Sequence, residues 1–241
     1  MSAYIDLHCH WIPGVDDGAR SLEECKAMLR ELRAAGFATV VATPHMRPGL
    51  FDNDAARLRV AYAAAREALD GEPDLPTLEL ASEHYFDDVV FGRLLEGTGL
   101  PYPGDKAVLL EFYESAFPPS LDRRFFDLRR RGLLPVIAHP ERYQAIWRSE
   151  QVLERLLDAG AVALLDSAAL VGKYGRRARR CAEALLDREL YHAACSDAHR
   201  PADVSEVARS MELIRKRYGD EEVTALFVDG PREILAGTAK P

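Results

Sequence analysis

The chain has 241 residues, of which 48% are hydrophobic, and this is enough apolar material to bury one sizeable core. Its formal net charge of -8 excludes the broad basic surface that non-specific nucleic-acid binding requires, so a nuclease role is disfavoured. Four cysteines without a CxxC pair, and no signal-peptide or membrane-span pattern, exclude a disulfide scaffold and a zinc ribbon. We therefore expect one cytoplasmic domain over residues 1–241.

Seven short apolar runs alternate with helical patterns along the chain. The runs cover residues 3–7, 38–42, 77–81, 107–110, 134–138, 162–165 and 192–195. Helical periodicity begins at Ser21, which forms a capping box with Glu24, and recurs over residues 54–70, 87–95, 120–132, 149–158, 175–186, 204–218 and 221–227. This alternation predicts an α/β fold with parallel strands and right-handed crossovers. The length suits a single β/α barrel.

Side chains that bind metals follow most of these runs. In a β/α barrel, the C-terminal ends of the strands form the face that carries the active site, so we expect these side chains to lie together. They number more than the four or so ligands of one closed zinc site, which favours two or three clustered ions. Histidine and carboxylate ligands without a thiolate favour manganese or iron, with zinc as an alternative. The candidate ligands are His8, His10, Asp17, His45, Glu83, Glu111, His139, Asp197 and His199.

Local patterns support this prediction to different degrees. In extended chain, residues i and i+2 point the same way, so His8 and His10 can grip one cation, although two unrelated polar residues would show the same spacing. Glu83 and Glu111 each terminate an apolar run, where a buried carboxylate must pair with an arginine or bind a cation. The acidic pair before Gly18, taken alone, is more typical of an ordinary turn.

The residues indicate a hydrolytic mechanism. Bound cations lower the pKa of a water, so that hydroxide is available to attack phosphorus near neutral pH. Arg142 has the geometry for bidentate phosphate contacts and would stabilise the developing charge. Asp197 or a neighbouring histidine would protonate the leaving group. Because the chain is acidic, it needs such cations to hold a phosphorylated substrate.

A covalent cysteine mechanism is excluded by spacing. Cysteine-dependent tyrosine phosphatases place an arginine after five intervening residues, and none of the four cysteines here has one. Cys9 is therefore interpreted as a small packing residue. The arginine-rich stretches at residues 129–131 and 176–180 are interpreted as solvated helix faces.

Taken together, the motifs resemble the polymerase and histidinol phosphatase (PHP) superfamily. Within it they are most similar to the bacterial capsule-type, manganese-dependent protein-tyrosine phosphatases. The resemblance extends over essentially the whole chain, to Arg232. The motifs that carry it are His8-x-His10, the turn at residues 14–18, Thr43-Pro44-His45, Glu83, Leu110-Glu111-Phe112, the block at residues 138–143 and Ser196-Asp197-Ala198-His199.

This resemblance implies a distorted seven-stranded (β/α)7 TIM-like barrel of the PHP type with three metal ions. It also implies that Arg142 binds phosphate, with Arg200 as a second contact, and that the substrate is phosphotyrosine on a bacterial tyrosine autokinase controlling capsule or exopolysaccharide export. The implied ligand sets are His8, His10, Glu83 and Asp197 for one ion, Glu83, Glu111 and His139 for a second, and Asp17, His45 and His199 for a third. The chain departs from the family at Asp166-Ser167, where an Asn-Ser-type pair is usual, and in its short loop after His199.

Two alternatives remain open. One is a small-molecule phosphatase of the histidinol-phosphate type, which would favour long covering loops over the short loops predicted here. The other is a metal-binding regulatory module without catalysis, which loss of several ligands would support. All nine candidates are present.

Overall fold

Parallel strands form the centre of the fold in the computed structural model, which describes residues 3–240. Within these residues the strands form two parallel sheets, with the orders β1-β2-β4 and β3-β5-β6-β7-β8-β9. The strands are β1 (Tyr4–Cys9), β2 (Phe37–Ala42), β3 (His45–Met46), β4 (Thr77–Leu80), β5 (Glu83–Tyr85), β6 (Ala107–Glu111), β7 (Leu134–Ala138), β8 (Val162–Asp166) and β9 (Ala193–Cys195). The predicted parallel α/β fold is confirmed.

The described residues contain nine strands, whereas the apolar runs predicted seven. Two breaks account for the difference. After β2, Pro44 has no N–H to donate to a sheet, and after β4 the N–H of Ser82 donates to the carbonyl of Leu100 at 3.1 Å. The chain then resumes as β3 and β5 in the second sheet, where His45 pairs with Glu83.

The two sheets meet where β1 and β9 end. Cys9 and Ala198 form a parallel bridge. Beside it, the N–H of His10 donates to the carbonyl of Ala198, and the N–H of Asp197 donates to the carbonyl of His8, both at 2.9 Å. The first and last strands of the chain therefore deliver their C-terminal residues to the same place.

Helices follow most of the strands and cover the sheets. Ser21 caps the first helix as predicted, because its hydroxyl accepts the N–H of Glu24 at 3.2 Å. Within residues 3–240, no helix is both long enough and apolar enough to cross a membrane. The helices are α1 (Leu22–Ala34), α2 (Ala55–Ala68), α3 (Asp88–Glu96), α4 (Leu121–Arg130), α5 (Gln144–Arg148), α6 (Gln151–Asp158), α7 (Gly175–Asp187), α8 (Asp203–Tyr218), α9 (Asp220–Thr224) and α10 (Gly230–Ala236). Short 3-10 turns lie at Pro140–Arg142 and Ser167–Val171, and a π turn lies at Ala225–Asp229.

The apolar core has two parts. Alternate residues of the strands, such as Leu109 in β6, form one buried cluster with Tyr102 and Ile234. The residues between them, such as Val108 and Leu110, pack in a larger cluster with the helices. Because both faces of the strands are buried, the strand ends rest on a close-packed base that holds their side chains in place.

Candidate metal centre

All nine predicted ligand side chains converge at the C-terminal ends of the strands. They come from β1 and the loop after it, from the first residues of β3 and β5, from the last residue of β6, and from the turns after β7 and β9. Their ligand atoms form four groups, and within each group the atoms lie within 4.8 Å of one another. The groups are His10, Asp17, His45 and His199; His8, His10 and Asp197; His8, Glu83 and His139; and His45, Glu83 and Glu111.

Two buried carboxylates lie at the middle of this cluster. Nε2 of His8 lies 3.3 Å from Oε1 of Glu83 and 3.1 Å from Oδ1 of Asp197. Nε2 of His10 lies 3.6 Å from Oε2 of Glu83 and 3.5 Å from Oδ1 of Asp197. Nδ1 of His45 lies 3.0 Å from Oε2 of Glu83. Glu83 is therefore placed to be shared between neighbouring groups, whereas Asp197 belongs to one group.

The surrounding imidazoles keep these carboxylates ionised. Burial alone would raise the pKa of Glu83, but the charges of His8 and His45 outweigh it and hold that pKa well below its usual range. Asp197 behaves likewise beside His8 and His199, so its pKa is also well below its usual range. Burial lowers the pKa of His139 to about 4, with a further contribution from the charge of Arg142. His139 is therefore neutral, which is the form that binds a cation. The carboxylates raise the pKa values of His8, His45 and His199, so these imidazoles would release protons when a cation binds.

Several atoms that face the cluster have no hydrogen-bond partner among residues 3–240, although they are buried. A buried polar atom without a partner is costly, and native structures contain few of them. Imidazole nitrogens and carboxylate oxygens are both good ligands for divalent cations, so bound ions would satisfy the whole set at once. The donor set therefore fits a metal centre. The unpartnered atoms are Nε2 of His8 and His10, Nδ1 of His45, Oε2 of Glu111 and Oδ1 of Asp197.

A second set of contacts orients the histidines from behind. Nδ1 of His8 lies 2.5 Å from Oγ1 of Thr43, and Nδ1 of His10 lies 2.8 Å from Oδ2 of Asp16. The same Asp16 oxygen accepts the backbone N–H of His45 at 3.0 Å. These contacts turn both Nε2 atoms toward the cluster, which is the usual arrangement behind metal-binding histidines. Asp16 and Thr43 were not among the predicted site residues.

The acidic turn after β1 packs against the strand from which it comes. The N–H of Ala19 donates to the carbonyl of His10 at 2.9 Å, and the N–H of Gly18 donates to Oδ1 of Asp16 at 2.9 Å. A Cβ atom on Gly18 would lie only 2.1 Å from the His10 carbonyl oxygen. Glycine is therefore required at position 18 by close approach of two backbone segments.

Arg142 reaches the cluster from the turn after β7. Its NH1 donates to Oδ2 of Asp197 at 2.9 Å, and its guanidinium lies over the ring of Tyr174 at 4.7 Å. Asp166, at the end of β8, is fully buried, and burial followed by the charge of Asp197 raises its pKa to about 7. Asp166 is not part of the four ligand groups, so β8 contributes no candidate ligand. The charge of Asp166 instead acts on Arg142.

Arg200 occupies a different position from Arg142. Its NH1 donates to the carbonyls of Asp17 at 2.9 Å and His199 at 2.6 Å, and also to the carbonyl of Gly18. It does not line the cleft over the cluster. A phosphate contact by Arg200 stays a prediction, whereas its observed contacts join the acidic turn to the loop after β9.

A cleft of about 360 Å³ opens above the cluster. It is lined by Arg142 and by seven of the nine predicted ligand side chains, all except His8 and His10, and also by Phe51, Tyr85 and Tyr113. The guanidinium of Arg47 lies 4.0 Å from the centre of the Tyr85 ring. Aromatic side chains in this lining would pack against a planar aryl group whose charged end reaches the ligand side chains.

A parallel β/α fold with imidazoles and carboxylates gathered at its strand ends defines a protein with a candidate multinuclear metal centre, the class to which many hydrolases belong. More particularly, the chain belongs to the CpsB/CapC family of capsular polysaccharide synthesis, whose model matches residues 4–236. The predicted resemblance to the capsule-type family is thereby confirmed.

Relatives and solved structures agree with this membership. The chain is 30% identical to the tyrosine-protein phosphatase YwqE of Bacillus subtilis, over 90% of this chain and 86% of that protein. It is also 30% identical to the tyrosine-protein phosphatase CpsB of Streptococcus pneumoniae, over 96% of this chain and 98% of that protein. Crystal structures of YwqE and CpsB, described as unique metal-dependent tyrosine phosphatases, match with a TM-score of 0.88 and 28% identity over 98% of this chain and 96% of that one. A phosphotriesterase homology protein of Escherichia coli, at 13% identity and a TM-score of 0.58 over 97% and 99%, shares the fold alone.

Proposed function

We propose that this chain is a metal-dependent protein-tyrosine phosphatase that hydrolyses phosphotyrosine in capsule or exopolysaccharide synthesis. Its family membership and the activity named for its relatives support this proposal. The observation that carries it is the cluster of nine ligand side chains, whose unpartnered atoms face one another beneath a cleft that also holds Arg142.

The ligands divide among three ions in this proposal, with manganese as the metal and iron or zinc as substitutes. When bound, the ions supply Lewis-acid charge and a source of hydroxide near neutral pH. The contacts that place Glu83 among several imidazoles support its assignment as a ligand shared by two ions. The contact of Asp197 with His8 supports its assignment as a ligand of one ion. The proposed sets are His8, His10, Glu83 and Asp197; Glu83, Glu111 and His139; and Asp17, His45 and His199.

Arg142 has the central role in binding substrate. Its guanidinium lines the cleft and is anchored by Asp197 and the ring of Tyr174, so its remaining N–H groups can donate to phosphate oxygens. Asp197 was also predicted as a proton donor to the leaving group. Because its pKa is held well below the usual range, its carboxylate is ionised near neutral pH, and we assign it as a ligand and as the anchor of Arg142.

We also infer that the nine strands act as the seven units of a distorted (β/α)7 barrel of the PHP type. The two-residue breaks at 43–44 and 81–82 support this inference, because β3 and β5 continue the chain directly from β2 and β4. The bridge between Cys9 and Ala198 supports closure of the ring between its first and last units.

The proposed substrate is a phosphotyrosine-bearing protein, a bacterial tyrosine autokinase. The aromatic lining of the cleft favours an aryl phosphate over an imidazole alcohol phosphate such as histidinol phosphate. The proposed location is the cytoplasm, whose reducing conditions suit the four free, buried cysteines.

The proposal is tested by assaying a phosphotyrosine peptide beside histidinol phosphate, with added manganese and again after chelation. We expect manganese-dependent release of phosphate from the peptide and a kcat/KM at least about tenfold lower for histidinol phosphate, a difference of about 1.4 kcal/mol in transition-state binding. A preference for histidinol phosphate would support the small-molecule alternative. Metal binding without hydrolysis of either ester would support the regulatory module.

A further inference from the structure

A groove lined by arginines continues from the cleft over the metal cluster. Gln144 lines both the cleft and this second depression, which has a volume of about 650 Å³ and lies between α5 and α7. We call it the arginine groove and define it by Gln144, Trp147, Arg148, Arg177 and Arg180. Since one side chain borders both spaces, a ligand that fills the cleft can extend directly into the groove.

The three arginines of the groove are free to bind a ligand. Arg177 and Arg180 are three residues apart on α7 and therefore lie on one face of that helix. Arg148 is the last residue of α5 on the opposite wall. All three side chains are exposed, and within residues 3–240 none of them takes part in an ion pair of the kind that their neighbours form.

The acidic side chains near the groove are already paired with other arginines. Glu150, which lines the groove, lies 2.8 Å from NH1 of Arg188. Glu183 on α7 lies 2.9 Å from Nε of Arg179. Glu154 pairs with the same Arg188, so these three glutamates are matched by two arginines. With Arg148, Arg177 and Arg180 the groove still has a local excess of positive charge on a chain whose net charge is -8, and such an excess attracts anions.

We propose that the arginine groove binds an acidic stretch of the substrate polypeptide that lies next to the phosphotyrosine. The proposal rests on the proposed phosphatase function, since a phosphotyrosine held in the cleft would carry its neighbouring residues past Gln144. Arginine forks match carboxylates in geometry as well as in charge. The half-buried indole of Trp147, whose Nε1–H donates to the carbonyl of Glu141 at 2.5 Å, is fixed in place and adds an apolar contact for the peptide.

The test compares two phosphotyrosine peptides that differ only in having glutamates or glutamines on the flanks, together with 4-nitrophenyl phosphate as a substrate that has no flanks. The groove variant carries Arg148→Gln, Arg177→Gln and Arg180→Gln. The control variant carries Arg59→Gln, Arg176→Gln and Arg209→Gln, which remove the same charge from exposed arginines outside the groove.

We expect the groove variant to lose about tenfold in kcat/KM for the glutamate peptide, mainly through a higher KM. This is the loss expected when three exposed ion pairs between enzyme and peptide are removed. Its activity on the glutamine peptide and on 4-nitrophenyl phosphate should stay within about twofold of the parent, and the control variant should match the parent on all three substrates. An unchanged ratio between the two peptides in the groove variant would overturn the proposal while leaving the phosphatase function intact. Failure of the metal-loaded parent to hydrolyse any of the three esters would instead overturn the proposed function, and the groove proposal with it.

A second measurement does not depend on any variant or on turnover. A non-hydrolysable phosphonate analogue of the glutamate peptide should change the fluorescence of Trp147, which lines the groove. The other tryptophan, Trp11, is fully buried and should not contribute to the change. Its affinity should fall as salt rises from about 0.05 to about 0.3 M, more steeply than that of the glutamine analogue, because exposed charge pairs are screened. Equal salt dependence of the two analogues would contradict a groove that recognises acidic flanks.

Discussion

Two adjacent aspartates after β1 have different surroundings, which divide their roles. The Asp16 carboxylate accepts hydrogen bonds from the ring of His10 and from the backbone N–H groups of His45 and Gly18. Both of its oxygens therefore orient the residues of the site. Asp17 is exposed, and its Oδ1 lies 3.4 Å and 3.5 Å from Nε2 of His45 and His199. The sequence pattern identified the acidic pair and its glycines. It could not show the role of Asp16, because which carboxylate turns inward depends on the fold of the turn.

Asp16→Asn should weaken metal binding while leaving the fold intact. The amide would keep one acceptor but would no longer hold a charged partner behind His10, and loss of such an outer contact typically costs about 10- to 100-fold in metal affinity. Calorimetric titration of the metal-free protein with manganese measures this change. The matched control is Asp52→Asn, on an exposed residue outside the cluster. Equal manganese affinity in both variants would show that Asp16 has no orienting role.

His84, next to the proposed ligand Glu83, has a structural role with a pH-dependent consequence. Its Nδ1 faces the carbonyl of Leu109 at 3.0 Å and its Nε2 faces the N–H of Leu100 at 3.1 Å, a pairing that requires the neutral ring. Burial accordingly lowers the pKa of His84 to about 4. Because the unfolded chain binds this proton near pH 6.5, the stabilising contribution is complete above that pH and is lost as pH falls toward 4.

We therefore predict that the free energy of unfolding depends more steeply on pH in the parent than in the His84→Gln variant. Between pH 7 and pH 5, the free energy of unfolding of the parent should fall by about 2 kcal/mol more than that of His84→Gln, which has no titrating ring. Urea unfolding of both proteins at the two pH values measures this difference. Parallel pH dependence in the two proteins would contradict a buried, neutral His84.

At the scale of elements, the strand and helix pattern was predictable where periodicity continued without a break. All seven apolar runs became strands, and the ends of β7 match the prediction at both residues. β3 and β5 were missed because each is only two or three residues long and follows a break, at Pro44 and Ser82. α10 was missed because Gly230-Pro231 is typical of a turn, whereas here the proline occupies the first helical turn.

The acidic turn after β1 should tolerate no side chain at position 18. Gly18→Ala forces a Cβ atom against the carbonyl of His10, so the turn must shift away from the strand. We expect a loss of roughly 1–3 kcal/mol in unfolding free energy, as for other overpacked sites, together with weaker manganese binding. Thermal unfolding and metal titration measure the two effects.

Gly71→Asn provides the control for that substitution. Gly71 has open space around it and a positive φ of 76°, a conformation that asparagine adopts more readily than other side chains. Its unfolding temperature and manganese affinity should stay near those of the parent. A Gly18→Ala protein that behaves like Gly71→Asn would show that the turn is not held against His10.

At the scale of the whole molecule, the charge distribution explains why an acidic chain needs cations to act on a phosphate ester. The net charge is -8, and four carboxylates are gathered with five histidines at one end of the strands. Bound cations would reverse the local field there, while Arg142 and the arginine groove extend the positive region away from the cluster. Composition alone indicated the need for cations, but the groove depends on α5 and α7 packing side by side, which no local pattern shows.

The same argument predicts that metal stabilises the fold. Manganese at about 100 times its dissociation constant should raise the free energy of unfolding by about 2.7 kcal/mol for each site that the unfolded chain lacks. Thermal unfolding with manganese and with a chelator measures this effect. The His8→Ala, His10→Ala double variant should show at most a small part of it, and a full metal effect in that variant would place the ions elsewhere.

The most direct test of the metal centre is to measure bound manganese and phosphotyrosine hydrolysis on the same samples. Protein stripped by chelation and reloaded stepwise is analysed for metal by mass spectrometry and assayed on a phosphotyrosine peptide. Activity should be absent in the stripped protein, should rise with occupancy up to two or three ions per chain, and should not return in the His8→Ala, His10→Ala variant. Full turnover by the stripped protein, or by the loaded double variant, would contradict the account.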